Sequence, residues 1–247
     1  MGDLDFTQAK VLGQLSNASN ATLLVEVFGT KYVYKPQSGE RTLWDFPTGT
    51  LYKRERATYV LSQLLGWELV PETVIADGPY GIGSFQKWVE ADTELVDIFP
   101  PDQVPDKWLS ITRGVTEEGT EVVLAHADLD ELKRLALFDA IVNNGDRKAG
   151  HILSDDSKQV WAIDHGVTFN VEPKLRTVLW GWLDQKIPTE LLDATKELLA
   201  KLDSCEISEL ISEDELLELK YRISELVATE TFPSPNPNWP AVPWPIF

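Results

Sequence analysis

The sequence predicts an α+β protein of two lobes, an antiparallel sheet in the first and mainly helices in the second. Three features carry this expectation. Residues 9–35 split into three runs of β-formers, AKVLGQL, TLLVEVFG and TKYVYK, parted by short polar turns in the manner of an antiparallel meander. Apolar residues recur at helical spacing over 54–66, 191–201 and 212–227. Between those segments, Gly150-His151-Ile152-Leu153 and Gln159-Val160-Trp161-Ala162-Ile163 flank the polar turn Ser154-Asp155-Asp156-Ser157-Lys158, which is a hairpin signal. The expected division is 1–90 for the sheet lobe, 91–230 for the helical lobe and 231–247 for a proline-rich aromatic tail packed on the body.

With 247 residues and 43% of them hydrophobic, the chain can bury a full core. Its 22 basic and 40 acidic side chains leave a net charge of −18, so it offers no basic footprint for nucleic acid and would be repelled by an anionic membrane. Cys205 is the single cysteine, which rules out an intrachain disulfide and suits a reducing cytosol. The acidic start MGDLDF has no signal-peptide apolar core, and no apolar run approaches about 18 residues. The expectation is a soluble cytoplasmic protein.

Taken in order, the first three strands end at Lys35, and the turn Ser16-Asn17-Ala18-Ser19-Asn20-Ala21 lies between the first two. Neither GxGxxG nor GxxxxGK[ST] occurs, so a P-loop is unsupported. The helix over 54–66 buries Ala57, Val60, Leu61, Leu64 and Leu65 and stops at Gly66; Glu55 adds a favourable charge in its first turn. Residues 69–75 and 82–89 read as strands around turn glycines Gly78, Gly81 and Gly83, and Trp88 on its own reads as a core tryptophan. Residues 90–125, rich in acids and holding Pro100, Pro101 and Pro105, read as an irregular insertion, and His126 as a surface-loop histidine.

The next helix has a capping-box-like start at Asp128 and Glu131 and leads to Asn143-Asn144-Gly145-Asp146, where the asparagines read as a C-cap. Asp139 on this helix is structural or solvated. Trp180-Gly181-Trp182 reads as core, and the last two helices as acidic and solvated on one face, the second with Ser212 and Glu215 as a capping box. In the tail, prolines favour polyproline II, while Phe232, Trp239, Trp244 and Phe247 are costly to leave in water.

The chemistry concentrates in residues 142–169, VNNGDRKAGHILSDDSKQVWAIDHGVTF. The hairpin folds Asp164 back towards Asp146 and leaves both carboxylates at one end of a rigid element. Carboxylates so placed, with substrate phosphate oxygens, suit a hard cation such as Mg²⁺. GDRKAGHIL followed by AIDHGVTF resembles the catalytic and metal-binding loops of the phosphatidylinositol 3-/4-kinase family, whose patterns are Gly-Asp-Arg-x-x-x-Asn and Ile-Asp-x-Gly. WGWLDQK, 180–186, resembles the tryptophan-rich continuation of type II phosphatidylinositol 4-kinases. Through GERTLWDFPTGTL and WPAVPWPIF the whole chain resembles a small bacterial family of kinase-like proteins.

The resemblance implies a protein-kinase-like fold that binds ATP and Mg²⁺ (or Mn²⁺) between its lobes. On that pattern Lys35 holds the α- and β-phosphates and Glu55 orients it, while Ser19 and Asn20 stand in for the glycine-rich loop. Gln86, Trp88 and Val89 fall at the hinge that meets the base. Asp146 accepts the proton of an acceptor hydroxyl, and Arg147 and Lys148 offset negative charge. Asp164 binds metal. His151 stands where the pattern has asparagine; imidazole suits transition metals better than Mg²⁺, and it is open to metal, phosphate or a plain hydrogen bond. Asn144 or Asn143 is the alternative source of the amide oxygen. The partners implied are a nucleotide and a hydroxyl acceptor, whether a protein, a small polyol or a phosphoinositide, the last disfavoured by the net charge. Two rival readings are a pseudokinase scaffold, supported by His151 and the missing glycine loop, and a kinase-fold enzyme that transfers AMP.

Overall fold

The computed structural model describes residues 5–15, 21–91 and 94–247. Ser19 and Asn20 lie outside the described residues. Strands β1 (Lys10–Gln14), β2 (Leu23–Val27), β3 (Thr30–Pro36), β4 (Thr73–Gly78) and β5 (Gly81–Lys87) form one antiparallel sheet in the order β1-β2-β3-β5-β4. Side chains alternate across a strand, so Tyr32 and Tyr34 of β3 enter a small core with Phe6, Val25, Val27 and Phe85. The Tyr34 and Phe85 rings stack at 4.2 Å. The same alternation sends Lys35 to the opposite face.

Helix α1 (Leu51–Leu65) ends at Gly66, whose φ of 67° is the left-handed cap that glycine adopts without a Cβ penalty. It begins three residues earlier than its apolar spacing predicts, because the Glu40 carboxylate accepts from the Leu51 and Tyr52 N–H groups at 3.1 and 2.8 Å. A cap supplied from eleven residues away leaves no local signature.

Residues 96–127 correct the expectation of an irregular insertion. Strands β6 (Val96–Phe99), β7 (Trp108–Val115) and β8 (Glu121–Ala127) form a three-stranded sheet in the order β6-β8-β7. Four residues of β6 and a largely exposed edge strand β7 carry too little alternation to be read from composition. His126 is a core residue of β8 rather than a surface one. It is 0% exposed, its Nδ1–H donates to the Ala127 carbonyl at 2.8 Å, and its Nε2 accepts from the Gly181 N–H at 3.1 Å. A Cβ on residue 181 would stand 2.5 Å from that Nε2, which explains the glycine between the two tryptophans.

Helix α2 (Asp130–Val142) lacks the expected capping box; the Asp128 carboxylate instead accepts from the Trp182 indole at 3.0 Å. Strands β9 (Ile152–Ser154) and β10 (Val160–Ala162) form the expected hairpin, and the Asp155 carboxylate closes its turn on the Ser157 and Gln159 N–H groups. Helices α3 (Thr189–Lys201), α4 (Ile207–Leu210) and α5 (Glu213–Thr229) follow, the last with both halves of the Ser212/Glu215 capping box. They share one large core with α2 and the hairpin. The tail is held by its backbone: Ala241 O accepts from Thr177 N–H and from the Trp180 indole, and Ile246 O from Ala149 N–H. Phe232 is buried, but Trp244 and Phe247 stay 84% and 53% exposed, contrary to the expectation that all the tail aromatics pack. Among the described residues no helix is long and apolar enough to cross a membrane.

One contact ties α1 to the helical region. Arg54 is 1% exposed, donates to the Thr168 carbonyl at 2.7 Å and forms an ion pair with Glu215, itself the capping residue of α5. Arg54→Ala therefore leaves a buried carboxylate unpaired and is expected to cost about 3–5 kcal/mol in urea denaturation. Lys196→Ala, which breaks only the exposed pair with Asp193, is expected to cost at most about 0.5 kcal/mol. Similar losses in the two variants would show that Arg54 is solvated in solution.

Candidate active site

The loop that carries Asp146 is fixed from behind. Helix α2 ends at Asn143, φ 51°, a left-handed position that asparagine tolerates. Its amide donates to the carbonyls of Asn170 and Glu172 at 2.8 and 2.6 Å and accepts from Lys174 N–H at 2.9 Å. Asn144 donates to Asp139 and accepts from the Asp146 N–H, both at 3.0 Å. Arg147 and Asp139 are both 0% exposed and joined by a forked pair, Nε to Oδ2 and Nη2 to Oδ1, each 2.9 Å. Arg147 also donates to the Ile163 carbonyl at 2.7 Å and to His165 Nε2 at 2.7 Å. Hence the Asp146 loop and the Asp164 loop are cross-linked by one buried guanidinium.

In front of this frame lies a cavity of about 500 Å³, lined among others by Lys35, Glu55, Asp146, Lys148, His151 and Asp164. Lys35 Nζ sits between two carboxylates, 2.5 Å from Glu55 Oε1 and 2.7 Å from Asp164 Oδ1. The second Glu55 oxygen accepts from His165 N–H at 3.0 Å. Asp164 Oδ2 faces His151 Nε2 at 3.3 Å. Asp146 lies between two cations, Lys148 at 3.6 Å and Arg176 at 3.9 Å.

Electrostatics follow from this arrangement. Burial works against charge on Lys35 and Asp164 alike, yet each is overruled by the other: the ammonium is held above its ordinary range by Asp164 and Glu55, and the carboxyl well below its own by Lys35. Burial pushes the Asp146 carboxyl up, against the pull of Lys148 and Arg176. Burial, reinforced by Arg147, Lys35 and Lys148, outweighs Asp164 and brings His151 down to about 4. His126 and His165 are also lowered, in both cases chiefly by burial.

Six of the residues singled out in the sequence thus meet at one cavity. Arg147 and Asn144 instead face the interior, behind the cavity wall, where they hold the loop. Gln86 is buried in the sheet, donating to Thr73 Oγ1 at 3.0 Å, and Trp88 and Val89 at the exit of β5 do not line this cavity. Sequence reasoning missed the far wall. There Arg176 donates to the Gly145 carbonyl at 2.5 Å, and Lys174 pairs with Asp45 at 2.8 Å under the rings of Trp44 and Trp239, at 4.4 and 4.9 Å. The one available signal was the basic pair Lys174 and Arg176 soon after the second loop. Asp45, Trp44 and Trp239 come from remote segments.

Two donors of the kind a divalent cation takes, a carboxylate oxygen free of Lys35 and an imidazole nitrogen, stand 3.3 Å apart at the cavity. Among the described residues no third histidine, cysteine or carboxylate joins them closely enough to complete a metal site.

No family model matches the chain. It is 44% identical over 255 residues to Protein Rv2133c of Mycobacterium tuberculosis, a match that spans 96% of this chain and 91% of that protein. Among solved structures, that of the Helicobacter pylori proinflammatory kinase CtkA covers 93% of this chain and 95% of its own, with a TM-score of 0.50 and 12% sequence identity. At that identity the likeness is one of fold, and the fold is kinase-like.

The histidines make stability depend on pH in a definite direction. A histidine whose folded pKa is lowered binds fewer protons folded than unfolded, so stability is full above the unfolded value of about 6.5 and falls as pH drops from there towards about 4. The urea midpoint is expected to be lower at about pH 5 than at about pH 7.5, and His151→Asn to remove part of the difference. Equal midpoints in the wild type would mean that the folded protein carries its histidines protonated.

Proposed function

We propose that this chain, which belongs to the same family as Protein Rv2133c of Mycobacterium tuberculosis, is a phosphotransferase that passes the terminal phosphoryl group of ATP to a hydroxyl acceptor with the help of a divalent cation. The observation that carries the reading is the Lys35 ammonium held by Glu55 and Asp164 at the edge of a cavity that also contains Asp146. A lysine–glutamate pair and a metal-binding aspartate, both in place, are what kinase-type phosphoryl transfer requires. The kinase-like fold and the two loops resembling those of phosphatidylinositol 3-/4-kinases support it.

In this reading ATP enters between the sheet lobe, 1–90, and the helical lobe, 91–230. Lys35 pairs with the α- and β-phosphates, and Glu55 keeps its ammonium aimed. Asp164 and His151 would hold the cation, which would neutralise phosphate charge. Asp146, its carboxyl raised by burial, accepts the acceptor's hydroxyl proton as that oxygen bonds to the γ-phosphorus and the bond to the β-phosphate oxygen breaks, releasing ADP. Lys148 and Arg176 offset the charge that develops. Arg147 and Asn144 act by positioning. The acceptor is a protein hydroxyl, a small polyol or a phosphoinositide headgroup, and the net charge of −18 weighs against membrane lipid. A second reading, a nucleotide-binding scaffold without transfer, has two sequence features on its side: His151 at the asparagine position and the missing glycine-rich loop.

Thermal-shift titration with ATP, alone and with Mg²⁺ or Mn²⁺, tests the binding half. Nucleotide at about 100 times its Kd is expected to stabilise the wild type by roughly 2.7 kcal/mol, with the metal-dependent part lost in Asp164→Asn. Asp146→Asn is expected to keep that binding and to lower transfer by about 10²–10⁴-fold, followed by product mass, which also separates phosphate from AMP transfer. Full transfer by Asp146→Asn would sink the assigned role, and binding without any transfer in the wild type would favour the scaffold.

A further inference from the structure

His151 is the one residue at the cavity that departs from the motif it otherwise resembles, and its two ring nitrogens have different surroundings. Nδ1 lies 3.1 Å from the backbone carbonyl oxygen of Asp146. A carbonyl only accepts, so Nδ1 carries the hydrogen, and the neutral ring presents a bare lone pair at Nε2. That lone pair meets Asp164 Oδ2 at 3.3 Å. Two acceptors so close repel each other unless a proton or a cation lies between them. The other Asp164 oxygen is already taken by Lys35 at 2.7 Å, so the ammonium does not fill this gap.

A proton there would add a fourth cation to Lys35, Arg147 and Lys148, with the ring only 16% exposed. A divalent ion fits better on geometry. Cis ligands of an octahedral ion at about 2.1 Å stand about 3 Å apart, near the observed separation. The ring is also oriented as metal-bound imidazoles are, its second nitrogen donating to a backbone carbonyl that fixes the tautomer. Here that carbonyl belongs to Asp146, so the same contact couples the ion's position to the loop of the general base.

We propose that His151 Nε2 and Asp164 Oδ2 form a mixed nitrogen and oxygen chelate that selects a transition ion such as Mn²⁺ over Mg²⁺ as the nucleotide's companion. The chemical ground is ligand preference: Mg²⁺ takes oxygen ligands and keeps its waters, whereas imidazole suits first-row transition ions, among which Mn²⁺ shares the carboxylate and phosphate preference of Mg²⁺ while tolerating one nitrogen. The inference rests on the phosphotransferase reading, because nucleotide phosphate supplies the remaining ligands. It turns the departure from the asparagine pattern from a sign of decay into a change of metal.

The test uses the full chain with a non-hydrolysable ATP analogue. Pulsed electron paramagnetic resonance of bound Mn²⁺ is expected to show direct coupling to a protein nitrogen, identified by nitrogen-15 labelling of the histidines and absent in His151→Asn. In thermal-shift titrations Mn²⁺ is expected to support analogue binding at about tenfold lower concentration than Mg²⁺, the gap shrinking to within about threefold in His151→Asn. Because the coupling is read in the wild type, a poorly folded variant does not decide the matter. Analogue bound with Mn²⁺ but no histidine coupling would overturn the chelate and leave the phosphotransferase reading standing, with His151 a proton donor to Asp164. No analogue binding with either metal would overturn both.

Discussion

The Lys35 ammonium, shared between Glu55 and Asp164, is the interaction on which the arrangement of the molecule depends. Removing a cation from water costs several kcal/mol, and here two carboxylates within 2.7 Å offset the cost. Each belongs to a different element, Glu55 to α1 and Asp164 to the loop after β10, while Lys35 itself is the last residue but one of β3. Glu55 also accepts the His165 N–H, so it grips both the lysine and the loop that carries Asp164. Displacing sheet, helix or loop would strand a buried charge. In the phosphotransferase reading the triangle is a resting arrangement, in which Asp164 occupies part of the ammonium that phosphate oxygens would take.

Behind the triangle a second network absorbs backbone strain. Asn143, Asp164 and Phe169 all have positive φ, 51°, 60° and 62°, in a stretch of 27 residues. Each such residue other than glycine costs of order 1 kcal/mol and persists only where its surroundings hold it. They do so here: Arg147 holds the carbonyl before Asp164, and Phe169 N–H donates to Val142 O at 2.7 Å. The Arg147–Asp139 pair has no access to the cavity, so its contribution is geometric. It sets the distance between Asp146 and Asp164, the residues to which the chemistry is assigned.

What could be read from the sequence was local, and what escaped was not. Runs of β-formers parted by polar turns revealed the first sheet, a polar turn between β-rich runs revealed the β9–β10 hairpin, and Ser212 with Glu215 revealed the start of α5, because each pattern is complete within a few residues. The sheet of β6, β7 and β8 escaped because its edge strands face water and do not alternate. His126 escaped because its hydrogen-bond partner on Gly181 lies 55 residues away. At the site, Lys35, Glu55, Asp146 and Asp164 were legible through motif and order. The inward turn of Arg147 was not, since only the fold reveals that Asp139 waits one helical end away. Arg176 and Trp239 become visible only once the tail and the 174–178 segment lie beside Gly145.

The charge distribution gives the cavity a character unlike the molecule as a whole. The chain carries −18, whereas the lining of the cavity is balanced, with Lys35, Arg41, Lys148, Lys174 and Arg176 set among Glu40, Asp45, Glu55, Asp146 and Asp164. Lys174 is pinned by Asp45 and sandwiched by indoles, so it serves to close the loop around residue 44 onto the segment after Phe169. Lys148 and Arg176 flank Asp146 at longer range, 3.6 and 3.9 Å. At physiological salt the field of the acidic helices is screened within about 8 Å, whereas charges inside a low-dielectric cavity are screened far less. In the phosphotransferase reading a polyanion such as ATP is therefore only weakly opposed at a distance and meets cations already set beside carboxylates on arrival. In that reading the contrast between a balanced cavity and a negative exterior is the physical reason to rank a soluble acceptor above one in an anionic membrane.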